Sequence, residues 1–189
     1  MAHTEPPIDD DAELVLRVGH GDVPAYRELV RRHAGNLRRF AGRLLRDDTE
    51  AEDVVQETFL RLWQRAADYT AAARVGTWLH RITHNLAVDR LRARGRLTAL
   101  DDDDEAASWA RPLALLDQKR RAEALERALA ALPERQGAAV TLVHLQGMTG
   151  TEASEVLGVG SEALESLLAR GRRKLKALLG EPESHGEPR

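Results

Sequence analysis

The sequence contains no cysteine, which excludes disulfide bonds, thiolate zinc sites and cysteine nucleophiles. Aromatic residues make up only 4% of the chain, so its apolar cores must consist mainly of Leu, Val and Ala. No apolar run approaches the roughly 18 residues that a membrane span needs. The first residues, MAHTEPPIDDDAE, lack the apolar stretch of a secretory signal. We therefore expect a cytoplasmic protein without direct membrane insertion.

The net charge of −3 conceals an uneven distribution of charge. Residues 25–96 carry +6 and residues 119–180 carry +3, whereas the segments before, between and after them are acidic. The spacer between the two cationic blocks contains the run Asp101–Glu105, DDDDE. Cationic blocks with helical periodicity favour nucleic acid as a partner. The acidic segments around these blocks indicate that the chain binds nucleic acid only under certain conditions.

Apolar residues recur three and four positions apart through most of the chain, and alternating β-branched runs are absent. This periodicity predicts an all-α fold. Helices are expected over about residues 12–18, from 22 to a break at Asp47, from 49 to about 67, and over 77–94, 117–131, 134–145, 149–157 and from 161 onward. The expected N-caps are Asp22 followed by Pro24, Thr49 with Glu52, Thr149, and Ser161.

The predicted helices form two small domains joined by a flexible linker. The first domain spans residues 11–96 and the second spans residues 117–179. Residues 97–116 lack a convincing period and form an acidic linker, while residues 1–10 and 180–189 are expected to be disordered. About 20 linker residues reach at most roughly 70 Å, or about 20 base pairs of duplex. The two domains could therefore contact separate DNA elements.

Residues 149–179 have the pattern of a helix-turn-helix motif: a short helix, a Gly-Val-Gly turn at Gly158–Gly160 and a longer basic helix. Leu164 and Leu167 lie on the side expected to be buried. The opposite face carries Glu162, Glu165, Ser166, Ala169 and Arg170, and the late residues Arg172, Arg173, Lys174 and Lys176 suit phosphate contacts. A surface helical hairpin with a solvated cationic end has the same pattern. The motif alone leaves both interpretations open.

The segment Asp53–Trp63, DVVQETFLRLW, places a mixed set of acids, amides and an apolar residue opposite Val55, Phe59 and Leu62. Such a face is either a solvated surface or a strip that binds a partner. The residue types by themselves favour the solvated surface.

Four segments follow one another along the chain: AEDVVQETFLRLW, TWLHRITHNLAVDRLRARGR, ALPERQGAAVTLVHLQGMT and ASEVLGVGSEALESLLARGRRKL. In this order they resemble the bacterial sigma-70 superfamily, and specifically its small two-domain extracytoplasmic-function (ECF) class. The resemblance covers nearly all of residues 20–179. It implies a specificity subunit of RNA polymerase that directs promoter recognition and assists DNA melting. Such a subunit has no catalytic site or cofactor of its own.

The resemblance assigns residues of the first domain to two surfaces. By resemblance, the strip that docks on the clamp helices of core RNA polymerase comprises Asp53, Gln56, Glu57, Leu60 and Trp63. By resemblance, the segment that recognises the −10 element and holds an unstacked base offers Arg74, Thr77, Trp78, Arg81, His84, Asn85 and Arg92. Single-strand capture needs a stacking surface, amide donors and a basic track, which these residue types provide. Core packing is an equal alternative for Trp78.

The second domain resembles sigma region 4, which reads the −35 element of promoter DNA and contacts the polymerase flap. The residues carried over by resemblance are Ser161, Glu165, Ser166, Arg170, Arg172 and Arg173. The sequence departs from the family at two positions, because the family usually has Lys or Arg where Glu165 stands and Arg where Leu167 stands. The family also implies control by an anti-sigma factor.

Some of these residues also fit other functions. His80 and His84 have the spacing of a two-histidine zinc face, but Arg81 stands where a metalloprotease has its general-base Glu and no third ligand is evident, so we predict no metal site. Two alternatives to a sigma factor are a free-standing helix-turn-helix regulator and a DNA-free helical adaptor that mimics a sigma factor. The net charge of −3 argues against the regulator, and the arginines of residues 81–96 argue against the adaptor.

Overall fold

The computed structural model describes residues 10–71, 73–95 and 118–180, and these residues form helices and short connections without a strand. The helices are α1 (Asp10–Gly19), α2 (Val23–Leu45), α3 (Asp48–Arg65), α4 (Val75–Ala93), α5 (Gln118–Ala130), α6 (Glu134–Val140), α7 (Gly150–Leu157) and α8 (Ser161–Leu179). A 3-10 turn follows α3 and a π-helical turn, Thr141–Leu145, follows α6. The all-α prediction is confirmed. The predicted linker and, apart from Asp10 and Gly180, both predicted disordered ends lie outside the described residues.

Two of the four predicted N-caps are confirmed. The Asp22 carboxylate accepts a hydrogen bond from the Ala25 amide at 3.0 Å and starts α2. Thr149 and Glu152 form a reciprocal capping box at the start of α7, with the Thr149 amide 2.8 Å from the Glu152 carboxylate. Side-chain oxygens here satisfy amides that would otherwise lack a partner within the helix.

The other two predicted N-caps are wrong. Helix α3 is capped by Asp47 and not by Thr49, because Arg46 adopts a left-handed conformation (φ 53°) that ends α2 and leaves Asp47 extended. The Asp47 carboxylate then accepts from the Glu50 amide at 3.0 Å. Helix α8 begins after Gly160, which provides no side-chain cap, and Ser161 is its first helical residue. The extended backbone that a cap needs lies two residues before the predicted cap in α3 and one residue before it in α8.

Helices α1–α4 form the first module. One apolar core joins α1, the N-terminal half of α2, α3 and the start of α4, with Val15, Leu29, Leu62 and Leu79 fully buried. Between α3 and α4 the buried hydroxyls of Thr58 and Thr83 lie 3.0 Å apart, and each also donates to a carbonyl four residues earlier in its own helix. This core fixes α3 and α4 side by side.

Helices α5–α8 form the second module. Leu129, Leu132 and Val140 build a small core against Leu175 of α8. The crossing of α6 and α8 is close at Gly171, where an added Cβ atom would lie 2.8 Å from Val140 Cγ2. A glycine is therefore required at this crossing by the distance between the helices and not by a special backbone conformation.

A second large core continues from one module into the other. Phe40, Leu44 and Leu91 of the first module share it with Leu142 and Val156 of the second. The modules that the sequence predicts as separate domains thus pack against each other in this structure.

His80 is buried beside this core. Its Nδ1 atom lies 2.8 Å from the carbonyl oxygen of Gly76, and its ring centroid lies 5.4 Å from that of Phe40. Burial lowers the pKa of His80 to about 4, which the hydrogen bond to Gly76 only partly opposes. The ring is therefore neutral at physiological pH.

We expect Gly171→Ala to lower the free energy of unfolding by about 1–3 kcal/mol, because Val140 is β-branched and cannot rotate freely away from the new methyl group. Urea unfolding followed by circular dichroism measures the change. Gly35→Ala is the matched control, since its added Cβ atom has only the Arg39 guanidinium nearby, at 3.9 Å. The control variant should be unchanged or more stable. Equal stability of the two variants would contradict the close crossing.

We expect His80→Phe to flatten the pH dependence of stability between pH 6.5 and about 4. The unfolded chain binds a proton on His80 below pH 6.5 while the folded chain does not, so the wild type loses stability as the pH falls through this window. The wild type should lose about 3 kcal/mol more than the variant. Urea unfolding at pH 7 and at pH 4 measures this difference. Equal losses of stability in the wild type and in the variant would contradict the lowered pKa of His80.

Candidate nucleic-acid and partner interfaces

The predicted partner strip lies on one exposed face of α3. Asp53, Gln56, Leu60 and Trp63 are exposed and Glu57 is half-buried, while the opposite face of the helix is buried. Leu60 is 53% exposed and Trp63 is 39% exposed. We call these five residues the docking strip. Their spacing of three and four residues brings them together on the helix surface.

Three contacts join residues of the docking strip to other side chains. The Tyr26 ring of α2 meets the Trp63 indole edge-on, with centroids 5.3 Å apart. Arg90 lies 3.5 Å from the Asp53 carboxylate, and Arg61 lies 3.0 Å from Glu57. Exposed ion pairs of this kind contribute little to stability, so the carboxylates remain able to exchange partners. Sequence reasoning missed Tyr26, whose place on the apolar stripe of α2 was the available signal.

The residues predicted to contact the −10 element divide into exposed and buried groups. Arg74, Arg81, Asn85 and Arg92 are exposed on α4 or at its start. Trp78 is half-buried and packs against Tyr69, with ring centroids 5.3 Å apart. Thr77 is only 4% exposed. The basic track and the amide therefore reach the surface, whereas Thr77 faces the interior.

His84 lies mostly buried against Phe40, with ring centroids 6.4 Å apart. Burial lowers the pKa of His84, a hydrogen bond with Asn85 partly opposes this, and the charge of Arg135 on α6 lowers it further. Its Nδ1 atom is buried without a hydrogen-bond partner. The imidazole is consequently neutral at physiological pH and is not a cationic phosphate ligand in this arrangement.

Arg74 contacts the second module. Its guanidinium lies 3.6 Å from the Glu152 carboxylate at the start of α7. Burial alone would raise the pKa of Glu152, but hydrogen bonds from the Thr149 amide and hydroxyl, together with Arg74, lower it. Arg92, in contrast, pairs within α4 with Asp89 at 3.8 Å.

Helices α7 and α8 form the predicted helix-turn-helix motif. Gly158 ends α7 in the left-handed conformation (φ 63°), which glycine adopts without strain, and α8 begins at Ser161. Leu164 and Leu167 are buried as predicted. All six candidate residues for the −35 element are exposed on α8: Ser161, Glu165, Ser166, Arg170, Arg172 and Arg173.

The two departures from the family pattern have different structural meanings. Leu167 is 3% exposed and belongs to the core shared by the modules, so a leucine at this position serves packing. Glu165 is exposed on the face that the motif presents. Of the two residues, only Glu165 therefore reaches the exposed face of α8.

Sequence reasoning missed the contacts between the modules. Besides the Arg74–Glu152 pair, Arg43 of α2 lies 2.6 Å from Glu126 of α5. The Arg46 guanidinium donates to the Leu132 carbonyl at 3.3 Å. These pairs join positions far apart in the sequence and carry no local pattern that could have revealed them.

Within residues 10–71, 73–95 and 118–180, no group of three or more His, Asp or Glu side chains could hold a metal ion. None of the helices in these ranges is long and apolar enough to cross a membrane.

Comparison with known proteins gives two family matches. The sigma-70 region 2 model matches residues 29–97, and the sigma-70 region 4 model matches residues 122–175. The first range contains the docking strip and α4, and the second contains the helix-turn-helix motif except for the last residues of α8.

Individual relatives match across most of the chain. The ECF RNA polymerase sigma factor SigE of Mycolicibacterium smegmatis is 35% identical, covering 97% of this chain and 77% of that protein. SigM of Mycobacterium tuberculosis is 37% identical, covering 90% and 85%. The structure of CnrH in complex with the cytosolic domain of CnrY aligns with a TM-score of 0.67 at 28% identity, covering 89% of this chain and 96% of that one. The chain therefore belongs to the sigma-70 family, within the ECF class of RNA polymerase sigma factors.

Proposed function

We propose that this chain binds core RNA polymerase, directs it to promoters through −10 and −35 elements, and assists DNA melting. The observation that carries the proposal is the presence, in one chain, of an exposed mixed strip on α3 and an exposed basic face on the second helix of a helix-turn-helix motif. Neither a free-standing regulator nor a DNA-free adaptor needs both surfaces. The polymerase supplies the catalytic site, and this chain supplies specificity.

The docking strip is proposed to bind the clamp helices of the polymerase. Leu60 and Trp63 offer apolar area that is open to solvent, which is the kind of surface that carries most of the energy of a protein interface. Asp53, Gln56 and Glu57 add acceptors and an amide beside them. Because Tyr26 supports the Trp63 ring, the apolar part of the strip is ordered before binding, which lowers the entropic cost of association.

Helix α4 and the turn before it are proposed to hold the melted −10 strand. Arg74, Arg81 and Arg92 provide positive charge along the helix for the phosphate backbone. Asn85 can donate to and accept from a base edge. The Tyr69–Trp78 pair provides aromatic surface at the start of the helix, where an unstacked base could be held.

Helix α8 is proposed to enter the major groove at the −35 element. Arg170, Arg172 and Arg173 are placed for phosphate contacts or for guanine, and Ser166 can bond to several bases. Glu165 can accept a hydrogen bond from the amino group of cytosine. An acidic residue here makes a −35 preference that differs from that of relatives with a basic residue at the same position.

An anti-sigma factor is proposed as a further partner. The similar structure of CnrH was solved in complex with the cytosolic domain of CnrY. The alignment with CnrH spans both modules of this chain. We therefore propose that this chain also binds a partner of the same class as CnrY.

The decisive experiment for this function is reconstitution with core polymerase. A promoter is first selected from randomised DNA by the reconstituted complex, and open-complex formation is then measured with permanganate footprinting. We expect opening only when chain, polymerase and promoter are all present. Tight specific duplex binding by the chain alone, without opening, would instead indicate the regulator.

We expect Leu60→Glu to weaken binding to core polymerase at least about tenfold, because it places a charge in an apolar contact. Fluorescence anisotropy of the labelled chain titrated with core polymerase measures the affinity. Leu16→Glu on α1 is the matched control, since Leu16 is 52% exposed and lies outside the docking strip. Equal affinity of the two variants would refute the role of the strip.

We expect Arg170→Ala to reduce open-complex formation about tenfold on promoters with a −35 element, through the loss of a base or phosphate contact. Its affinity for core polymerase should stay unchanged. Arg127→Ala is the control, because Arg127 is an exposed arginine on α5, outside the helix-turn-helix motif. If both variants lose the same activity, general positive charge and not the α8 face is responsible.

A further inference from the structure

Helix α8 carries charges of opposite sign in its two halves. Its exposed acids, Glu162 and Glu165, lie in the first half. Its exposed cations lie in the second half and are Arg170, Arg172, Arg173 and Lys176. The first residues of the second helix in a helix-turn-helix motif are the ones that reach base edges, whereas phosphates are contacted from the flanks. The acidic half of α8 is therefore the half that faces the bases.

Glu165 makes no hydrogen bond or ion pair with any other residue that the structure describes. On a helix, a partner for its carboxylate would lie three or four positions away. None of these positions holds a cation, since they are Ser161, Glu162, Leu168 and Ala169. The carboxylate thus reaches the exposed face of α8 without a partner from its own helix.

The helix dipole accounts for Glu162 but not for Glu165. Glu162 lies in the first turn of α8, where the positive end of the helix stabilises a carboxylate. Glu165 lies one turn further along, and the effect of the dipole falls off within the first turn. The stability of the helix therefore gives no reason for an acid at position 165, and a contact outside the chain gives one.

The hydrogen-bonding groups of the bases restrict what this contact can be. A carboxylate only accepts hydrogen bonds. In the major groove, guanine presents two acceptors, thymine presents an acceptor and a methyl group, and adenine presents an acceptor beside its amino group. Cytosine presents an amino donor alone. Cytosine is therefore the one base whose edge satisfies the carboxylate without placing an acceptor against it.

The phosphates of DNA make the same choice sharper. A carboxylate in the groove is repelled by the phosphate charge, whatever the sequence. A hydrogen bond from a cytosine amino group offsets this repulsion, whereas the edges of guanine and thymine add to it. Glu165 therefore lowers affinity for most sequences and lowers it least where it meets cytosine.

We propose that Glu165 is a specificity-determining residue, which selects cytosine at one position of the −35 element by rejecting the other three bases. This inference rests on the proposed function, because it requires α8 to lie in the major groove. The cations of the second half of α8 hold the helix on the phosphates, and Glu165 then decides which sequences are tolerated. A lysine or arginine at this position would favour guanine instead, since both donate to the guanine acceptors.

The first experiment compares the promoters that three chains select. Core polymerase is reconstituted with the wild type, Glu165→Gln or Glu165→Lys, and each complex selects from randomised promoter DNA. At one position of the −35 element we expect cytosine with the wild type, adenine with Gln, and guanine with Lys, because the Gln amide pairs with adenine and Lys donates to guanine. Identical −35 elements in the three pools would overturn the proposal.

Glu155→Gln is the matched control for the loss of one negative charge. Glu155 is an exposed acid of the same motif but lies on α7. We expect this variant to select the same element as the wild type. If it changes the same base as Glu165→Gln does, charge alone is responsible and the proposal fails.

The same selection separates failure of this inference from failure of the proposed function. If the wild-type complex enriches no −35 element, the proposed function fails, and the assignment of Glu165 fails with it. If it enriches an element whose bases do not depend on Glu165, only the assignment of Glu165 fails.

The second experiment tests rejection through the sign of the change in affinity. Four labelled promoters differ only at the base pair identified by selection, and anisotropy measures their binding to the reconstituted complex at one salt concentration. Glu165→Ala should bind the cytosine promoter about five- to tenfold more weakly and the other three about two- to fivefold more tightly. A purely repulsive carboxylate predicts tighter binding to all four promoters. That result would overturn the proposal.

The third experiment removes only the atom that Glu165 is proposed to contact. The cytosine is replaced by 2-pyrimidinone, which is cytosine without its amino group. We expect the wild-type complex to lose about five- to tenfold in affinity and Glu165→Ala to lose less than about twofold, because the variant has no carboxylate to be left without a donor. Equal losses in the two complexes would show that Glu165 does not contact the amino group.

Discussion

Phe40 lies fully buried near the middle of the molecule, and its ring contacts His80 and His84 on two successive turns of α4. This stack fixes α4 on α2. It also belongs to the core to which α6, α7 and α8 contribute. Phe40 therefore adds an aromatic contact that holds α4 against α2, beside the apolar core that joins α4 to α3. Both the surface proposed for the −10 element and the interface between the two modules follow from where this helix lies.

Acidic and basic side chains are distributed unevenly over the surface of the molecule. Acidic side chains cluster at the start of α3 and on the docking strip, while exposed arginines lie on α2, on α4 and on the second half of α8. Several of these charges are paired within the chain, as Asp53 is with Arg90 and Arg74 is with Glu152. Such pairing limits the positive potential that free DNA meets. This agrees with the near-neutral total charge of the chain.

Much of the fold could be predicted from the sequence, because the start, the period and the end of a helix depend on residues that are close together in the sequence. The periods of α2 and α8, the cap at Asp22, the capping box at Thr149 and the turn at Gly158 all depend on residues within a few positions of each other. The cap at Asp47 was missed because two aspartates and a threonine compete there, and the left-handed Arg46 decides among them.

The exposed faces of α3 and α8 were predictable for the same local reason. Their assignment to polymerase and to the −35 element came from the family resemblance and not from periodicity. The burial of Thr77 and His84 was not predictable, because it depends on contacts between elements that are distant in the sequence. The interface between the two modules was not predicted, because its apolar residues have the same pattern as ordinary core positions of either module.

Glu152 has two roles at once, because its carboxylate both completes the capping box of α7 and meets Arg74 of the other module. The bonds to Thr149 lie within α7 and its cap, and they do not require Arg74. Helix α7 can consequently leave α4 without fraying at its first turn. Loss of the contact with Arg74 would therefore leave the start of the helix-turn-helix motif intact, because its capping bonds are local.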